Sequence, residues 1–190
     1  MSIPKFEGIK YRLCDEWKEK IQIEDKPINY LEIGAFYGAN LLSVADSYAK
    51  HPWSKMYVID PWEKYEDYHD FDFDTTLDFS NVYEKFLDNT QHIKDKLEVT
   101  RGYSYDELPN FQNNFFDIIY IDGNHEFTYV MADAILSFAK LKIGGYMIFD
   151  DYTVGFPQVC DGASTFMKYH KSRVESLGIH NGQAFLKKVA

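Results

Sequence analysis

Cysteine is scarce in this sequence, which has only Cys14 and Cys160 among its 190 residues. Two thiols cannot build the disulfide framework that stabilises many small secreted domains. The scarcity therefore argues against a disulfide-rich extracellular scaffold. It predicts a reducing compartment, which we take to be the cytoplasm.

Positive charge is also in short supply, because 20 Lys and Arg face 30 Asp and Glu, for a formal net charge of −10. Nucleic-acid binding needs Lys and Arg to meet phosphates, so nucleic acid is not expected as the main partner. No uncharged run reaches membrane-spanning length, and the opening MSIPKFEGIK has no long apolar core. We therefore expect no membrane partner either.

Apolar and aromatic side chains are plentiful, at 45% and 17% of residues. A chain of this length can bury one core, and no repeat or linker divides it, so we expect a single domain over 1–190. Ile9, Leu13, Trp17 and Ile21 recur at helical spacing. This spacing predicts a helix over 6–23, within an N-terminal segment that extends to residue 27.

Short apolar stretches alternate with amphipathic ones along the rest of the chain. Strands are predicted at 30–33, 54–60, from 97 onward, 118–121, 146–149, 174–177 and 184–186. Helices are predicted at 40–48, from 127 to a stop at Gly144-Gly145, and at 156–170. Strands that are apolar on both faces and alternate with helices indicate an α/β fold, a parallel sheet with helices on both faces. Ligands of such sheets bind at the carboxyl ends of the strands.

The stretch LEIGAFYGAN, residues 31–40, follows the first predicted strand and raises the question of a nucleotide fingerprint. A dinucleotide-binding motif needs a second glycine two residues after Gly34, and Phe36 occupies that position. Phe36 therefore disfavours a nicotinamide oxidoreductase. Glu32, beside Gly34 and Gly38, suits a positively charged ligand such as S-adenosylmethionine (SAM). An ordinary strand–turn–helix is the alternative.

Two further strand ends carry candidate nucleoside contacts. Asp60 ends the second predicted strand, where a carboxylate can accept both hydroxyls of a ribose. Ser104 follows the third, where it could meet an adenine edge. Either residue could instead be a solvated loop residue.

Glu32-x-Gly34-x-x-x-Gly38, VIDPW, YIDGNHEF and GGYMIFDDY together resemble the motifs of class I SAM-dependent methyltransferases. They are most similar to the metal-dependent small-molecule O-methyltransferases grouped with macrocin- and cephalosporin-pathway enzymes. The likeness covers roughly residues 29–170. It implies a Rossmann-like, doubly wound, mostly parallel seven-stranded sheet whose last strand is antiparallel. It also implies cofactor contacts from Tyr37, Asn40 and Asp122.

Three carboxylates, those of Asp122, Asp150 and Asp151, follow two neighbouring predicted strands. Grouped like charges raise one another's pKa, and a divalent cation would relieve that cost. Oxygen ligands favour Mg²⁺ or Mn²⁺ over zinc, and the resemblance implies the same three ligands. Alternatively, Asp150 and Asp151 cap the loop that follows them.

His125 lies three residues after Asp122 and is the candidate general base for a hydroxyl acceptor, so both belong to the predicted catalytic set. Some relatives have an acid where this chain has Asn124, which leaves the base open. His125 could instead cap the helix that starts at Glu126. Asp133, on that helix, is expected to be solvated or salt-bridged rather than a ligand.

The segment 62–79, WEKYEDYHDFDFDTTLDF, is acidic and aromatic and lies within an expected insertion over 61–90. It could form a lid whose aromatic rings stack on a sugar, or a plain surface insertion.

The sequence as a whole favours a SAM- and metal-dependent O-methyltransferase that acts on a hydroxyl of a small molecule, with a sugar preferred. The alternatives are a metal-independent methyltransferase with His125 as base and a non-catalytic SAM-fold binding module. A homo-oligomer stays open.

Overall fold

A computed structural model describes residues 5–9, 13–64 and 77–190, and within them seven strands and five α-helices alternate. The strands are β1 Asn29–Ile33, β2 Lys55–Asp60, β3 Leu97–Arg101, β4 Phe116–Ile121, β5 Leu141–Phe149, β6 Val174–His180 and β7 Gln183–Lys188. The α-helices are α1 Ala39–Ala45, α2 Phe79–Thr90, α3 Ser104–Glu107, α4 Phe127–Lys140 and α5 Pro157–Tyr169. Short 3₁₀ helices cover Leu13–Glu19, Gln91–Lys96 and Leu108–Asn110. Among the described residues, none of the helices has both the length and the apolar character needed to cross a bilayer.

All seven strands form one sheet in the order β3-β2-β1-β4-β5-β7-β6. β1 pairs in parallel with β2 and β4, as β3 does with β2 and β5 with β4, whereas β7 is antiparallel to both β5 and β6. The strand order reverses between β1 and β4, which is the topological switch point where doubly wound sheets bind ligands. The predicted Rossmann-like fold, with its antiparallel last strand, is confirmed.

Each face of the sheet has its own apolar core. Trp17, α1 and α2 cover one face, and α4 and α5 cover the other. β1 and β4 lie at the centre, and nearly all of their residues are buried, as expected for strands covered on both faces. The covered sheet leaves its carboxyl edge as the place where side chains can reach a ligand.

The predicted N-terminal helix over 6–23 is wrong in extent. Residues 5–9 are not helical, and the helix that forms, at Leu13–Glu19, is of the 3₁₀ type. Gly8 has a positive φ of 113°, and Ile9 is 47% exposed, so the apolar stripe does not continue through this region. Trp17 and Ile21 are buried as their spacing predicted. Tertiary packing of these two side chains holds the segment without a continuous α-helix.

The predicted helix stop at Gly144-Gly145 is also wrong, because α4 ends at Lys140 and β5 begins at Leu141. Phe116 pairs with Leu141 and Ile118 with Tyr146, so the register shifts between these two pairs. Gly144, at φ +83°, lies in the resulting bulge. Paired glycines next to a strand therefore marked a bulge here and not the end of a helix.

The expected insertion over 61–90 contains a helix that the sequence analysis missed. The Asp78 side chain accepts hydrogen bonds from the backbone N–H groups of Ser80 and Asn81 and so caps α2. Val82 and Phe86, one turn apart on α2, are buried in the core, a spacing that could have revealed the helix. Residues 65–76 lie outside the described residues, so the lid stays a prediction.

Gly34 provides a test of how tightly the β1 and β4 ends pack. A Cβ at Gly34 would lie 1.9 Å from the Asp122 carbonyl oxygen, whereas a Cβ at Gly144 would meet nothing within 4 Å. Both residues have a left-handed φ, +80° and +83°. Gly144→Ala should therefore lower the free energy of unfolding by about 1 kcal/mol, through backbone strain alone. Gly34→Ala should lower it several times more. Urea unfolding of the two variants measures this; equal losses would contradict the close approach.

Candidate functional site

A cavity of about 720 Å³ opens at the carboxyl edge of the sheet, beside the switch point. Most of the residues singled out from the sequence line it: Glu32, Gly34, Tyr37, Asn40, Asp60, Asp122, His125, Asp150 and Asp151. Gly38 and Ser104 are not among its lining residues. The strand ends thus bring the predicted cofactor and catalytic groups into one cavity.

Glu32 forms the acidic end of this cavity. It is buried and accepts hydrogen bonds from the Tyr30 hydroxyl and, at 3.1 Å, from Asn40 Nδ2. Burial raises the pKa of Glu32 to about 8, although both hydrogen bonds oppose the rise. Among the described residues, the buried Asn40 Oδ1 has no hydrogen-bond partner. A carboxyl group and an unpartnered carbonyl oxygen together suit an ammonium group.

The β1–α1 loop is held in place by Asp60. Its Oδ2 accepts from the backbone N–H groups of Ala35 and Phe36 at 2.8 and 2.9 Å, and its Oδ1 from that of Trp62 at 2.7 Å. Phe36 itself has a left-handed φ of +51°. A carboxylate offers about four acceptor positions, so these bonds leave about one. The sequence predicts that Asp60 accepts both hydroxyls of a ribose. To accept both, Asp60 would have to give up one of its hydrogen bonds from a backbone N–H group.

Tyr37 and Gly38 have packing roles as well. Tyr37 is largely buried, and its carbonyl oxygen accepts from Asn89 Nδ2 at 3.0 Å. Gly38 precedes α1, and a Cβ there would press on Phe86 at 3.1 Å. Gly38 therefore permits close packing of α1 on α2, whereas Tyr37 also lines the cavity.

Ser104 follows β3, as predicted, and lies at the start of α3. Its hydroxyl donates to Asp133 Oδ1, on α4, and the structure does not bring it to the cavity. The expectation of a solvated or salt-bridged Asp133 is wrong, because this side chain is buried. Burial raises the pKa of Asp133 to about 7, against the effect of the Ser104 hydrogen bond.

Asp122, His125 and Asp151 form a compact cluster in the cavity, with one donor atom from each lying within 4.8 Å of the others. His125 Nε2 is 3.2 Å from Asp151 Oδ2 and 4.0 Å from Asp122 Oδ1. Burial lowers the pKa of His125, but the bonds and charges of the two carboxylates outweigh burial and raise it to about 9. Burial, with the Asp150 charge adding to it, raises the pKa of Asp122 well above its usual range.

The third predicted ligand, Asp150, is not in this cluster. Its Oδ2 accepts from the Tyr120 hydroxyl at 2.5 Å and its Oδ1 from Gln183 Nε2 at 3.1 Å. These donors hold the carboxylate beside the cluster. The set Asp122, Asp150 and Asp151 stays a prediction, and in this geometry His125 lies nearer to the other two carboxylates than a third carboxylate does.

The loop before α4 explains how His125 reaches the cluster. Asn124 Oδ1 accepts from the backbone N–H of Glu126 at 2.9 Å, and Gln158 Oε1 accepts from that of Phe127 at 3.1 Å. Asn124 and Gln158 thus satisfy two backbone N–H groups at the helix start. Its ring contacts Phe156 edge-on, with centroids 4.6 Å apart, which orients the imidazole.

The donor set of the cluster fits a divalent cation. Carboxylate oxygens are ordinary ligands of Mg²⁺ and Mn²⁺, and two of them leave positions for water and substrate, whereas an imidazole is a more usual ligand of zinc, copper, iron or nickel. The raised pKa of Asp122 comes from burial and from neighbouring carboxylates, and a cation would relieve both effects.

Tyr120 and Gln183 are site residues that sequence reasoning missed. Both are polar groups on strands and both are buried, Tyr120 at 0% and Gln183 at 2% exposure. A buried polar residue two positions before a candidate acid was the available signal, since such groups need partners.

Comparison with known proteins gives a family match. A family model described as a methyltransferase domain matches residues 31–152. Among curated proteins, uncharacterized protein R132 of Acanthamoeba polyphaga mimivirus is 40% identical over 68 residues. That alignment covers 34% of this chain and 28% of that protein, so the chain spans under a third of the relative's length.

Solved structures share the fold over most of the chain. The O-methyltransferase NovP has a TM-score of 0.66 at 15% identity, with 86% of this chain and 73% of that chain covered. An O-methyltransferase from Bacillus cereus, solved with S-adenosylhomocysteine (SAH), has 0.62 at 18%, covering 85% and 74%. The SAH-bound Podospora anserina methyltransferase PaMTH1 has 0.58 at 15%, covering 86% and 73%. At these identities the likeness establishes the fold.

The buried Asp133 generates a pH prediction. The pKa of Asp133 is about 7 in the folded protein, against an ordinary value of 3.8. Between about pH 4 and about pH 7, the folded state therefore keeps a proton on Asp133 that the unfolded chain has released. Stability from this group is therefore present below about pH 4 and falls as pH rises to about 7. Asp133→Asn removes this titration.

The Tm of the protein minus that of Asp133→Asn should accordingly fall by several degrees between about pH 5 and about pH 8. The exposed Asp95 supplies the matched control, because Asp95→Asn should give a nearly constant difference. If the Tm of the protein and the Tm of Asp133→Asn changed with pH by the same amount, that result would contradict the buried carboxyl.

Proposed function

Because the chain belongs to the methyltransferase domain family, as a class I SAM-dependent methyltransferase, we propose that it methylates a hydroxyl of a small molecule with the help of a divalent cation. The observation that carries the proposal is the Asp122, His125 and Asp151 cluster, which shares one cavity with Glu32 and Asn40. A cation and a methyl donor could thus lie side by side.

The Glu32 end of the cavity is proposed to hold the amino acid part of SAM. Glu32 and the unpartnered Asn40 Oδ1 can accept the N–H groups of its ammonium, and a charge-assisted bond of this kind is about twice as strong as a neutral one. Phe36 and Gly34 line the same cavity as Glu32 and the acidic cluster. When bound, SAM supplies a methyl group activated by the neighbouring sulfonium.

The acidic cluster is proposed to hold the cation and the acceptor. Asp122 and Asp151 would be carboxylate ligands, and Asp150 lies beside them as a further carboxylate. A bound Mg²⁺ or Mn²⁺ supplies Lewis acidity that lowers the pKa of an acceptor hydroxyl. With both carboxylates bound to the cation, the charges that raise the pKa of His125 would be offset, and the neutral imidazole would take the hydroxyl proton at Nε2. The contact with Phe156 holds the ring for that transfer. Holding both reactants in one closed geometry adds the proximity effect.

The acceptor is proposed to be a sugar or glycoside. Ile9, Leu77, Phe79 and Phe156 line the same cavity, and apolar and aromatic side chains can pack on the faces of sugar rings. The acidic aromatic lid, a homo-oligomer and a cytoplasmic location stay predictions.

A metal-independent methyltransferase would use the same cavity with His125 as base and without a cation. A non-catalytic binding module would keep the fold but would not transfer a methyl group. The two predictions below separate both alternatives from the proposed function.

The cofactor part is tested with SAH. SAH should raise the Tm, and Glu32→Gln should weaken its affinity by about tenfold or more, because a hydrogen bond to a charged group contributes about 1.5–3 kcal/mol. Isothermal titration calorimetry measures the two dissociation constants. Glu98→Gln removes an exposed acid from β3 and should bind SAH normally. An unaltered affinity in Glu32→Gln would locate the ammonium elsewhere.

The catalytic part is tested by transfer of labelled methyl from SAM to a panel of glycosides. EDTA or Asp122→Ala should lower turnover by ~10³-fold with the fold retained, since Lewis-acid stabilisation is worth several kcal/mol. His125→Ala should lower it by about 10²-fold or more while Mn²⁺ still binds. Full turnover in EDTA rejects the cation, and loss of Mn²⁺ binding in His125→Ala makes the imidazole a ligand and not the base.

A further inference from the structure

A chain of buried hydrogen bonds leads from the N-terminal 3₁₀ helix to the edge of the candidate cation site. Trp17 Nε1 donates to Gln183 Oε1 at 2.8 Å, and Gln183 Nε2 donates to the Tyr120 hydroxyl at 2.9 Å. The Tyr120 hydroxyl and Gln183 Nε2 each donate to one oxygen of Asp150. Trp17, Tyr120 and Gln183 are almost fully buried. Three segments that are distant in sequence thus converge on one carboxylate.

The donors in this chain all point toward Asp150. An indole N–H can only donate, so Trp17 must face the carbonyl end of the Gln183 amide. The NH₂ end then faces Tyr120 and Asp150. Because Tyr120 accepts from Gln183, its own proton is directed to Asp150 Oδ2. The orientation of the amide, and with it both donors to the carboxylate, is therefore fixed by Trp17.

We propose that Tyr120 and Gln183 are positioning residues, which orient the Asp150 carboxylate beside Asp122 and Asp151 and so set the affinity of the site for a divalent cation. The inference rests on the proposed function, because it needs a cation at that cluster. Tyr120 and Gln183 bond to different Asp150 oxygens, and a carboxylate offers about four acceptor positions, so acceptor capacity remains. Asp150 can thus contribute charge, and an oxygen, to a cation without leaving its partners.

The geometry explains why a third carboxylate stays ordered next to two others. Asp150 lies close enough to Asp122 that its charge contributes to the raised pKa of Asp122. Without its two donors, a carboxylate in this position would turn away from its like-charged neighbours or toward solvent. Residues that orient metal-binding groups typically change metal affinity by about 10–100-fold.

Tyr120→Phe removes one donor and keeps the ring in the core. The dissociation constant for Mn²⁺, measured from the electron paramagnetic resonance signal of the free ion, should rise by about tenfold. Tyr146→Phe is the matched control: Tyr146 lies on β5, next to β4, in the same core, and its hydroxyl donates to the Gln22 carbonyl at 3.1 Å. Tyr146→Phe loses one hydroxyl hydrogen bond and Tyr120→Phe loses two, but the control should bind Mn²⁺ normally.

A double-mutant cycle with Asp150→Asn separates positioning from general destabilisation. If Tyr120 acts through Asp150, Tyr120→Phe should weaken Mn²⁺ binding in the native background and have little further effect in Asp150→Asn. Gln183→Met, which removes the second donor from a different strand, should show the same dependence. Gln183→Met provides a second measurement of Mn²⁺ binding if Tyr120→Phe folds poorly.

Wild-type Mn²⁺ affinity in both Tyr120→Phe and Gln183→Met would overturn the inference while leaving the proposed function in place. Additive effects in the cycle would also overturn it, since they would mean that Tyr120 acts independently of Asp150. If the unaltered protein binds SAH but no Mn²⁺, both the inference and the cation of the proposed function fail together, and the methyl donor site remains.

Discussion

Carboxylates crowded at one buried edge of a parallel sheet are the constraint on which the site depends. Four acids lie at that edge: Glu32 on β1, Asp60 at the end of β2, Asp122 directly after β4 and Asp150 directly after β5. Burial raises the pKa of each of them, so each needs compensation. Glu32 has a tyrosine and an amide, Asp60 has three backbone N–H groups, and Asp150 has Tyr120 and Gln183. Asp122 shares the His125 imidazole with Asp151. Hydrogen bonds thus compensate three of the acids, and the Asp122–Asp151 pair is the place where a cation has most to offer.

Much of this arrangement could be predicted from the sequence, because the carboxyl ends of parallel strands meet at one edge whatever the details of packing. That rule alone brings Glu32, Asp122 and His125 into one cavity. It does not say where a side chain points once its strand has ended. Asp150 turns to Tyr120 and Gln183, and Ser104 turns to Asp133. Both choices are made by hydrogen-bond partners 29 or more residues away, which no local pattern encodes.

The errors in the fold have a similar origin. Helical spacing at Trp17 and Ile21 correctly predicted burial but not an α-helix, because buried side chains and long-range bonds such as that from Trp17 to Gln183 hold the segment. Gly144-Gly145 satisfied the rule for a helix end, yet the shifted register of β4 and β5 uses them as a bulge. In both cases a local preference is overridden by contacts with another part of the chain.

The acidity of the cavity also follows from the chemistry proposed for it. A sulfonium methyl donor and a divalent cation are both positive, and an in-line transfer requires them to lie close together, where they repel each other. Glu32, Asp122, Asp150 and Asp151 line this one cavity, and a bound cation and methyl donor would favour the charged forms of these acids. An anionic acceptor would meet this same field, which favours neutral acceptors such as glycosides over phosphorylated ones.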